Sequence, residues 1–289
     1  MPSKTNKQSK PIHILGVIGD PVHHSLSPIM HNMALAQLKL PFIYKAFHVK
    51  PAHLKKFVRH LKSENITGLN VTIPHKETII PFLDQLTPEA KKMGAVNTVY
   101  LKKGLWIGDN TDGQGYLLSL EKEARFKVKN KNIVMIGAGG AAKGIALALL
   151  SQKPKSLLII NRTLDKAKLL QKQLQCFNKQ IPISAFDLSE INKMAWAQIH
   201  LIINTTSVGL KSNAALKIPW EQCQPKTLVS DIVYAPLLTR FLKDAQKFKL
   251  KIHPGWGMLL YQGALAFELF TGKKAPTEIM KQALLEQLI

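Results

Sequence analysis

The chain has 289 residues, of which 46% are hydrophobic, a length and composition typical of about two globular domains. No apolar run approaches the ~20 residues that span a bilayer, and the distant cysteines Cys176 and Cys223 suit a reducing cytosol rather than a zinc site or a disulfide framework. The formal net charge of +22 comes mostly from scattered lysines, and the scarcity of arginine disfavours nucleic-acid recognition, which relies on bidentate arginine contacts.

The first half of the chain begins with a polar, lysine-containing stretch, residues 1–10, where we expect a frayed tail rather than a secretory leader. Beyond it, apolar β-forming runs alternate with helix-period segments, which predicts an α/β fold with parallel strands. Ser27 suits the N-cap of the first helix, and Lys103-Gly104 suits a hairpin turn. We predict strands at 12–18, 42–49 and 66–73, helices at 28–38, 51–62 and 76–82, a hairpin of 95–101 with 105–108, and a helix at 112–122.

The second half continues the same alternation of strands and helices. We predict strands at 132–136, 156–160, 199–203 and 227–232, a helix that follows residues 137–140 and ends at about 151, and helices at 163–175, 257–270 and 277–289. The ten histidines show no HExxH or similar ligand spacing, so we expect no metal.

A glycine-rich stretch follows the strand at 132–136 and matches the dinucleotide-binding pattern G-x-G-x-x-A. It consists of Gly137, Ala138, Gly139, Gly140, Ala141 and Ala142. The first glycine permits a tight turn, the second lets the backbone approach a pyrophosphate, and the last alanine allows close helix–strand packing. The following helix would present free N–H groups to the phosphates, so the stretch predicts a nicotinamide-dinucleotide site.

The next strand ends at Asn161-Arg162-Thr163, where an NAD-selective site would usually place an acid. Arg162, with Lys166 four residues later, could instead pair with a 2′-phosphate, to which Thr163 could donate a hydrogen bond. The nearby acid, Asp165, lies past the strand in the predicted first helical turn. This pattern predicts NADP as the cofactor.

Several polar clusters in the first half lie where predicted strands end, which is where open α/β sheets bind ligands. They are Ser25-Leu26-Ser27-Pro28, residues 70–76, residues 94–98 and residues 108–113. Their hydroxyls, amides, lysine and carboxylates suit a small polyhydroxylated anion that is oriented by many hydrogen bonds.

Nine segments, in order, resemble the shikimate dehydrogenase family over most of the chain. They are GDPVHHSLSP (19–28), GLNVTIPHK (68–76), GAVNT (94–98), GDNTDG (108–113), GAGGAA (137–142), NRT (161–163), INTTSVG (203–209), DIVYAPLLT (231–239) and GMLLYQGALAFE (257–268). The resemblance implies NADPH-dependent, reversible reduction of 3-dehydroshikimate to shikimate in aromatic amino acid biosynthesis. The family usually has arginine where this chain has Lys166, which keeps the charge but loses the planar fork.

The resemblance also implies roles for single residues. Lys76 and Asp112 would be the catalytic pair, with Lys76 donating a proton to the developing alkoxide and Asp112 orienting it. Substrate-binding residues would be Ser25, Ser27, Asn70, Thr72, Asn97, Tyr234 and Gln262. Beside the glycine stretch, cofactor-binding residues would be Asn161, Arg162, Thr163, Lys166, Thr205, Ile232, Gly255 and Met258. His75 has no role in this interpretation, and Asp112 could also cap the helix that follows it.

We therefore predict two α/β domains with an active-site cleft between them. Residues 1–111 with 258–289 would form the substrate-binding domain, and residues 112–257 a Rossmann-type NADP domain. We expect a cytoplasmic monomer or homodimer that acts on a small molecule and binds neither nucleic acid nor membrane.

Three alternatives remain open at this point. One is a quinate/shikimate dehydrogenase that uses either nicotinamide cofactor, and another is a related enzyme with a different substrate, such as a folate-linked dehydrogenase or an amino-shikimate relative. The third is a non-catalytic nucleotide or metabolite sensor, or a basic nucleic-acid binder.

Overall fold

A computed structural model of the chain describes residues 12–210, 214 and 216–289. The predicted tail at 1–10 lies outside these residues. The chain divides into two units, the first comprising Met1–Asp109 with Ala266–Ala283 and the second Asn110–Leu265 with Leu284–Ile289. The domain limits expected from the sequence, after residues 111 and 257, stay a prediction, since this division falls two residues earlier at the first limit and eight later at the second.

Unit 1 is built on a six-stranded sheet with the order β2-β1-β3-β5-β6-β4. Its strands are β1 (His13–Gly19), β2 (Phe42–His48), β3 (Ile66–Val71), β4 (Gln85–Leu86), β5 (Thr98–Lys102) and β6 (Leu105–Asp109). Strand β1 runs parallel to β2 and β3, whereas β5 is antiparallel to both β3 and β6. The expectation of parallel strands therefore holds for β1, β2 and β3 and for the pairing of β4 with β6, but not for β5.

The hairpin between β5 and β6 turns at Lys103-Gly104, as predicted. Lys103 and Gly104 have φ angles of 51° and 82°, and Lys102 is paired with Leu105. Two consecutive residues with positive φ form the type of turn that matches the twist of the flanking strands. This hairpin adds the antiparallel part of the sheet.

The helices in the first segment of unit 1, before Asp109, are short after the first one. They are α1 (Ser27–Gln37), α2 (Leu54–Arg59), α3 (His75–Thr78) and α4 (Pro88–Met93). The predicted helix at 51–62 is a 3-10 turn at Pro51–His53 followed by α2, and the predicted helix at 76–82 is α3 followed by a 3-10 turn at Ile80–Phe82. The apolar core of the unit includes the fully buried residues Ile18, Leu69, Ile79 and Val99.

Unit 2 contains an all-parallel sheet with the order β12-β11-β10-β7-β8-β9. Its strands are β7 (Asn132–Ile136), β8 (Ser156–Asn161), β9 (Ile183–Asp187), β10 (Leu201–Asn204), β11 (Leu228–Asp231) and β12 (Lys251–His253). Counted from β7, this is the 3-2-1-4-5-6 order of dinucleotide-binding sheets, which reverses between β7 and β10. The structure thus has the Rossmann-type topology that the sequence predicts.

The remaining helices are α5 (Asp112–Lys122), α6 (Gly140–Ser151), α7 (Leu164–Phe177), α8 (Arg240–Lys247), α9 (Trp256–Thr271) and α10 (Thr277–Leu285). Alternate residues of β7 belong to different apolar clusters: Ile133 and Met135 to one, Val134 and Ile136 to the other. Because successive strand residues point to opposite faces, the sheet has a core on each side, as parallel sheets do. No helix in the described part of the chain is long and apolar enough to cross a membrane.

Candidate active site

The first predicted substrate segment lies between β1 and α1. The Ser25 hydroxyl accepts a hydrogen bond from the Ser27 backbone N–H at 3.3 Å, and Ser27 is buried. The prediction that Ser27 caps this helix is wrong, because α1 begins at Ser27 and its N-cap is Leu26, which makes no side-chain cap. The Ser25 hydroxyl accepts the hydrogen bond from the Ser27 N–H instead, and the Ser27 hydroxyl does not cap the helix.

A connected set of polar side chains crosses the sheet of unit 1. The Tyr44 hydroxyl on β2 donates to Asn70 Oδ1 on β3 at 2.8 Å. Asn70 Nδ2 donates at 3.3 Å to the Asn97 carbonyl and at 3.3 Å to Thr98 Oγ1, and Thr98 Oγ1 donates to Asn97 Oδ1 at 2.8 Å. The structure therefore joins two predicted substrate residues, Asn70 and Asn97, directly and through Thr98, while Tyr44 supports Asn70 from the other side of its amide. The sequence analysis singled out neither Tyr44 nor Thr98.

Lys76 lies on α3, directly after the fully buried His75. His75 Nε2 is 2.6 Å from the Val49 carbonyl, which requires this nitrogen to carry the proton and donate. The carbonyl of Lys76 accepts a hydrogen bond from Val96 N–H at 2.7 Å, and Thr72 O accepts one from His75 N–H at 2.9 Å. His75, which had no role in the sequence analysis, thus anchors the segment that carries Lys76.

The glycine stretch of unit 2 follows β7 at the point where the strand order reverses. Helix α6 begins at Gly140 with Gly139 as its N-cap, and no side chain caps its first N–H groups. A Cβ at Gly139 or Gly140 would meet no atom within 4 Å. This uncapped helix start beside open space fits a pyrophosphate.

Gly137 is the position in this stretch where glycine is needed for the fold. Its φ is 117°, a conformation that other residues rarely adopt, and a Cβ there would lie 2.4 Å from Thr205 Oγ1. The Thr205 hydroxyl donates to the Ile136 carbonyl at 2.8 Å and so holds the next strand's loop against the turn. Two predicted cofactor residues are therefore in mutual contact.

The end of β8 presents Arg162, Thr163 and Lys166, all exposed. Asn161 Nδ2 donates to the Thr163 carbonyl at 2.9 Å, which shapes the turn into α7. Asp165 lies in the first turn of α7, as predicted. Among the described residues, neither Arg162 nor Lys166 forms an ion pair with an acidic side chain. Both cations are therefore available to a phosphate.

The loops after β10 and β11 are held by one buried amide–carboxylate pair. Asn204 and Asp231 are opposite each other in the sheet, and Asn204 Nδ2 donates to Asp231 Oδ1 at 2.9 Å. Asp231 also accepts from Thr239 Oγ1 at 2.7 Å and from Val233 N–H at 3.0 Å. Burial raises the pKa of the Asp231 carboxyl to about 6, although its hydrogen bonds lower it. The pair positions the loop that carries the predicted ligand residues Ile232 and Tyr234.

Burial also raises the pKa of the half-buried Tyr234, which keeps its phenol protonated and able to donate a hydrogen bond. A phenolic O–H is a suitable partner for a carboxylate. This agrees chemically with the role predicted for Tyr234.

Asp112 is buried in the first turn of α5, but it is not the N-cap that the sequence also allowed. The N-cap is Thr111, and the Asp112 N–H is bound instead by Asn110 Oδ1 at 3.1 Å. The Thr111 hydroxyl donates to the Gln262 carbonyl on α9 at 3.1 Å. At Gly115 a Cβ would lie 2.5 Å from Gln262 N, so α5 and α9 are in close contact here. Asp112 and Gln262 are thereby held on packed helices of one unit.

Gly255 and Met258, the remaining predicted cofactor residues, lie at the start of α9. A Cβ at Gly255 would be 2.5 Å from the Ile232 carbonyl, so the backbone here contacts the loop after β11. Met258 is half-buried against the cluster that lines one face of the parallel sheet. The structure thus places Gly255 beside another predicted cofactor residue, Ile232.

A second polar network lies inside unit 2. His253 bonds to Ser119 Oγ at 2.7 Å and to Ser230 Oγ at 2.9 Å, and Tyr116 OH donates to Ser230 Oγ at 2.9 Å. Burial lowers the pKa of His253 to about 4, so the imidazole is neutral near pH 7. This network contains none of the predicted ligand residues and ties α5 to β11 and β12.

A cavity of about 560 Å³ in unit 1 is lined by residues of β2 and α2 and their neighbours, among them Lys45, Phe47, His53, Lys56 and Phe57. None of the predicted substrate residues lines this cavity, so it does not coincide with the polar residues described above. No cluster of three or more histidine, cysteine or acidic residues suited to a metal ion occurs in the described ranges.

Family models match three parts of the chain. Residues 17–99 match the shikimate dehydrogenase substrate binding domain, residues 119–232 match shikimate / quinate 5-dehydrogenase, and residues 255–285 match the shikimate 5'-dehydrogenase C-terminal domain. Together they span both units.

Individual relatives match over almost the full length. A curated relative from Geobacillus sp. (strain WCH70), named shikimate dehydrogenase (NADP(+)), is 43% identical over 276 residues, covering 95% of this chain and 98% of its own. A crystal structure of a shikimate dehydrogenase in complex with NADP+ has a TM-score of 0.88 at 38% identity, covering 96% of each chain. One from Listeria monocytogenes, in complex with shikimate and NAD, has a TM-score of 0.88 at 35% identity, covering 97% of this chain and 99% of its own. The chain belongs to the shikimate dehydrogenase family.

Proposed function

We propose that the protein catalyses the NADP-dependent interconversion of 3-dehydroshikimate and shikimate, in the reducing direction toward aromatic amino acids. The observation that carries this proposal is the full-length similarity to curated NADP-dependent shikimate dehydrogenases, at 43% identity over 95% of the chain. The hydroxyls and amides linked across the sheet of unit 1 and the Rossmann order of unit 2 support a polar substrate and a dinucleotide.

NADPH, when bound, supplies the hydride that reaches the carbonyl carbon of the substrate. The carbonyl oxygen gains negative charge as its double bond opens, and Lys76 donates the proton that converts it to a hydroxyl. Lys76 then recovers a proton from solvent. Asp112 orients Lys76 and accepts a hydrogen bond from a substrate hydroxyl. In the oxidising direction the same groups act in reverse.

The polar residues of both units orient the substrate. Ser25, Ser27 and Tyr234 hold the carboxylate, each through a hydroxyl that can donate to it. Asn70, Thr72, Asn97 and Gln262 hold the ring hydroxyls and the carbonyl region. Many directional contacts suit a rigid, polyhydroxylated ring, because each hydroxyl that lacks its partner would leave a polar group of the site unpaired.

The choice of NADP over NAD follows from the end of β8. Arg162 pairs with the 2′-phosphate, Lys166 adds positive charge, and Asn161 and Thr163 complete the turn. The glycine stretch binds the pyrophosphate through backbone N–H groups, with Thr205 supporting the turn. Ile232, Gly255 and Met258 would hold the nicotinamide.

A dual-specificity quinate/shikimate dehydrogenase is the second candidate. It is favoured by the match of residues 119–232 to a shikimate / quinate model. The arginine at 162, with no acid at 161, argues against efficient use of NAD.

The protein acts in the cytoplasm as a monomer or homodimer, a location supported by its two free cysteines.

The test is cofactor reduction followed by absorbance, with shikimate or quinate and NADP or NAD in all four combinations. We expect efficient turnover with shikimate and NADP alone. Comparable turnover with quinate or with NAD would favour the second candidate. Absence of turnover in all four combinations, by protein that unfolds cooperatively on heating, would contradict the proposed function.

A further inference from the structure

The hydroxyl of Tyr44 bonds to one of the proposed substrate side chains. Tyr44 lies on β2 and is only 2% exposed. Its hydroxyl donates to Asn70 Oδ1 at 2.8 Å. One buried phenol therefore supports a residue proposed to hold the substrate ring.

The direction of these hydrogen bonds is determined by their chemistry. Both Asn70 amide protons face acceptors, the Asn97 carbonyl and Thr98 Oγ1, each at 3.3 Å. The Asn70 oxygen must then face Tyr44, because a flipped amide would place two carbonyl oxygens against each other. Tyr44 has a single hydroxyl proton and gives it to Asn70.

Helix α1 holds the tyrosine by its ring and by its backbone. The His31 ring stacks on the Tyr44 ring with centroids 4.2 Å apart and an interplanar angle of 10°. Asn32 binds both backbone groups of Tyr44, donating to its carbonyl at 2.9 Å and accepting from its N–H at 2.8 Å. Two consecutive residues of one helix therefore fix both parts of Tyr44.

The stacking partner of Tyr44 stays uncharged. His31 is fully buried, burial lowers its pKa to about 3, and neither ring nitrogen has a hydrogen-bond partner among the described residues. Burial also raises the pKa of Tyr44 well above its ordinary value. Neither ring changes charge between pH 6 and pH 9, so the hydrogen-bond direction is constant over that range.

We propose that Tyr44 is a positioning residue for the substrate, whose hydroxyl fixes the Asn70 side chain in the geometry that binds the ring hydroxyls. This rests on the proposed function and extends it. With its amide protons committed to Asn97 and Thr98, Asn70 meets the substrate through the second lone pair of its oxygen. Asn70 therefore accepts a hydrogen bond from a substrate hydroxyl and does not donate one.

The test variant is Tyr44→Phe, which keeps the ring and its stack on His31 and removes the hydroxyl alone. Losing one such hydrogen bond from a preorganised network should raise the KM for shikimate about 10-fold. The KM for NADP should be unchanged, because Tyr44 contacts no cofactor residue. A merely structural tyrosine would not separate the two KM values.

Tyr116→Phe is the matched control. Tyr116 is 1% exposed and its hydroxyl donates to Ser230 at 2.9 Å, so it loses a buried hydrogen bond of the same kind in unit 2. Both variants should lower the midpoint of thermal unfolding, but only Tyr44→Phe should raise the KM for shikimate. An equal KM for shikimate in Tyr44→Phe and wild type, or an equal rise in the control, would overturn the inference.

Thr98→Val tests the network separately and serves if Tyr44→Phe folds poorly. It removes the hydroxyl at the other end of the same series of hydrogen bonds and should also raise the KM for shikimate. Where Tyr44→Phe folds, it should have little further effect in an Asn70→Ala background in a double-mutant cycle, because the two act through one contact. Additive effects, or an unchanged KM in Thr98→Val, would contradict the network.

Wild-type turnover in the same assay separates the two proposals. If the wild type does not oxidise shikimate with NADP, the proposed function fails and this inference fails with it. If the wild type is active and the KM of Tyr44→Phe is unchanged, this inference alone is wrong.

Discussion

The two units prepare their ligand residues in different ways. Unit 1 uses side chains: hydroxyls and amides from different strands bond to one another, as between Tyr44 and Asn70. For its cofactor, unit 2 relies mainly on backbone groups at strand ends. They are a glycine turn that excludes a Cβ at Gly137 and an uncapped helix start at Gly140. Removing a side chain should therefore weaken substrate binding by unit 1 most, whereas adding a side chain should weaken cofactor binding by unit 2 most.

Lys76→Ala should have the largest effect, since no backbone group can replace a proton donor. Loss of a general acid costs typically 10²–10⁴ in rate, and we expect a fall of this size in kcat. The dissociation constant for shikimate should change little. Steady-state kinetics and a binding titration would measure the two quantities.

Lys92→Ala is the control for Lys76, because Lys92 is an exposed lysine on α4 in the same unit. It should keep wild-type kcat. Partial recovery of Lys76→Ala activity by added methylamine would support proton donation, whereas near wild-type turnover of Lys76→Ala without amine would remove Lys76 from the chemistry.

Arg162→Asp tests a position where the binding of NADP by unit 2 depends on a side chain. A charge-assisted hydrogen bond contributes ~1.5–3 kcal/mol, so the KM for NADP should rise roughly 10- to 100-fold or more, because the aspartate also repels the phosphate. The KM for NAD should not rise. Arg125→Asp, the same change at an exposed arginine before β7, should leave both KM values as they are; a matching rise there would indicate a general charge effect.

Gly137→Ala tests the backbone part of unit 2. The added Cβ would lie 2.4 Å from Thr205 Oγ1 at a φ of 117°, so the free energy of unfolding should fall. Strained backbone of this kind costs ~1–3 kcal/mol. Gly139→Ala is the counterpart: its Cβ meets no protein atom within 4 Å, so stability in urea should be kept while the KM for NADP rises. Equal stability losses in both variants would break the distinction between the two glycines.

Thr239→Val should have the smallest effect, on stability. It removes a donor to Asp231 and the N-cap that accepts from Leu242 N–H, and loss of a cap alone costs ~0.5–2 kcal/mol. Thr239→Ser keeps the hydroxyl and should be close to wild type. Urea denaturation would measure both, and a Ser variant as unstable as the Val variant would implicate the methyl group instead.

The loss of stability in Thr239→Val should depend on pH, because Thr239 donates to the titratable carboxyl of Asp231. Its pKa in the folded protein, about 6, is above the ordinary 3.8, so its contribution to stability is fully present below pH 3.8 and lost as pH rises through 6. Removing the Thr239 donor disfavours the carboxylate further. The destabilisation by Thr239→Val should therefore be larger at pH 7.5 than at pH 4.5; the opposite trend would contradict this account.

The sequence predicted the long periodic elements well and missed short ones. Strand β7 and helix α5 begin and end where expected, because apolar periodicity and turn residues mark them. Strand β12 (Lys251–His253) has three residues and no apolar run, and α8 was not predicted either. Both depend on packing against the rest of the sheet, which local pattern does not reveal.

For the site, local motifs identified the ligand residues but not what holds them. Tyr44 is 26 residues from Asn70, and Asn204 is 27 from Asp231. Only the strand order and register bring such pairs together, as in the pairing of Asn204 with Asp231. In the sequence, Tyr44 resembles an ordinary core aromatic, because its alternation with neighbours indicates burial and gives no sign of a hydrogen-bond partner.

The division of the chain has a consequence for its synthesis on the ribosome. Unit 1 needs residues 266–283, among them Phe267 and Phe270, whose rings lie 6.1 Å and 6.3 Å from that of His31. These residues emerge after the whole sheet of unit 2 has been translated. Nucleotide-binding topology can therefore form during elongation, whereas the packing behind His31 and Tyr44 is completed only after all the strands of unit 2 have been translated.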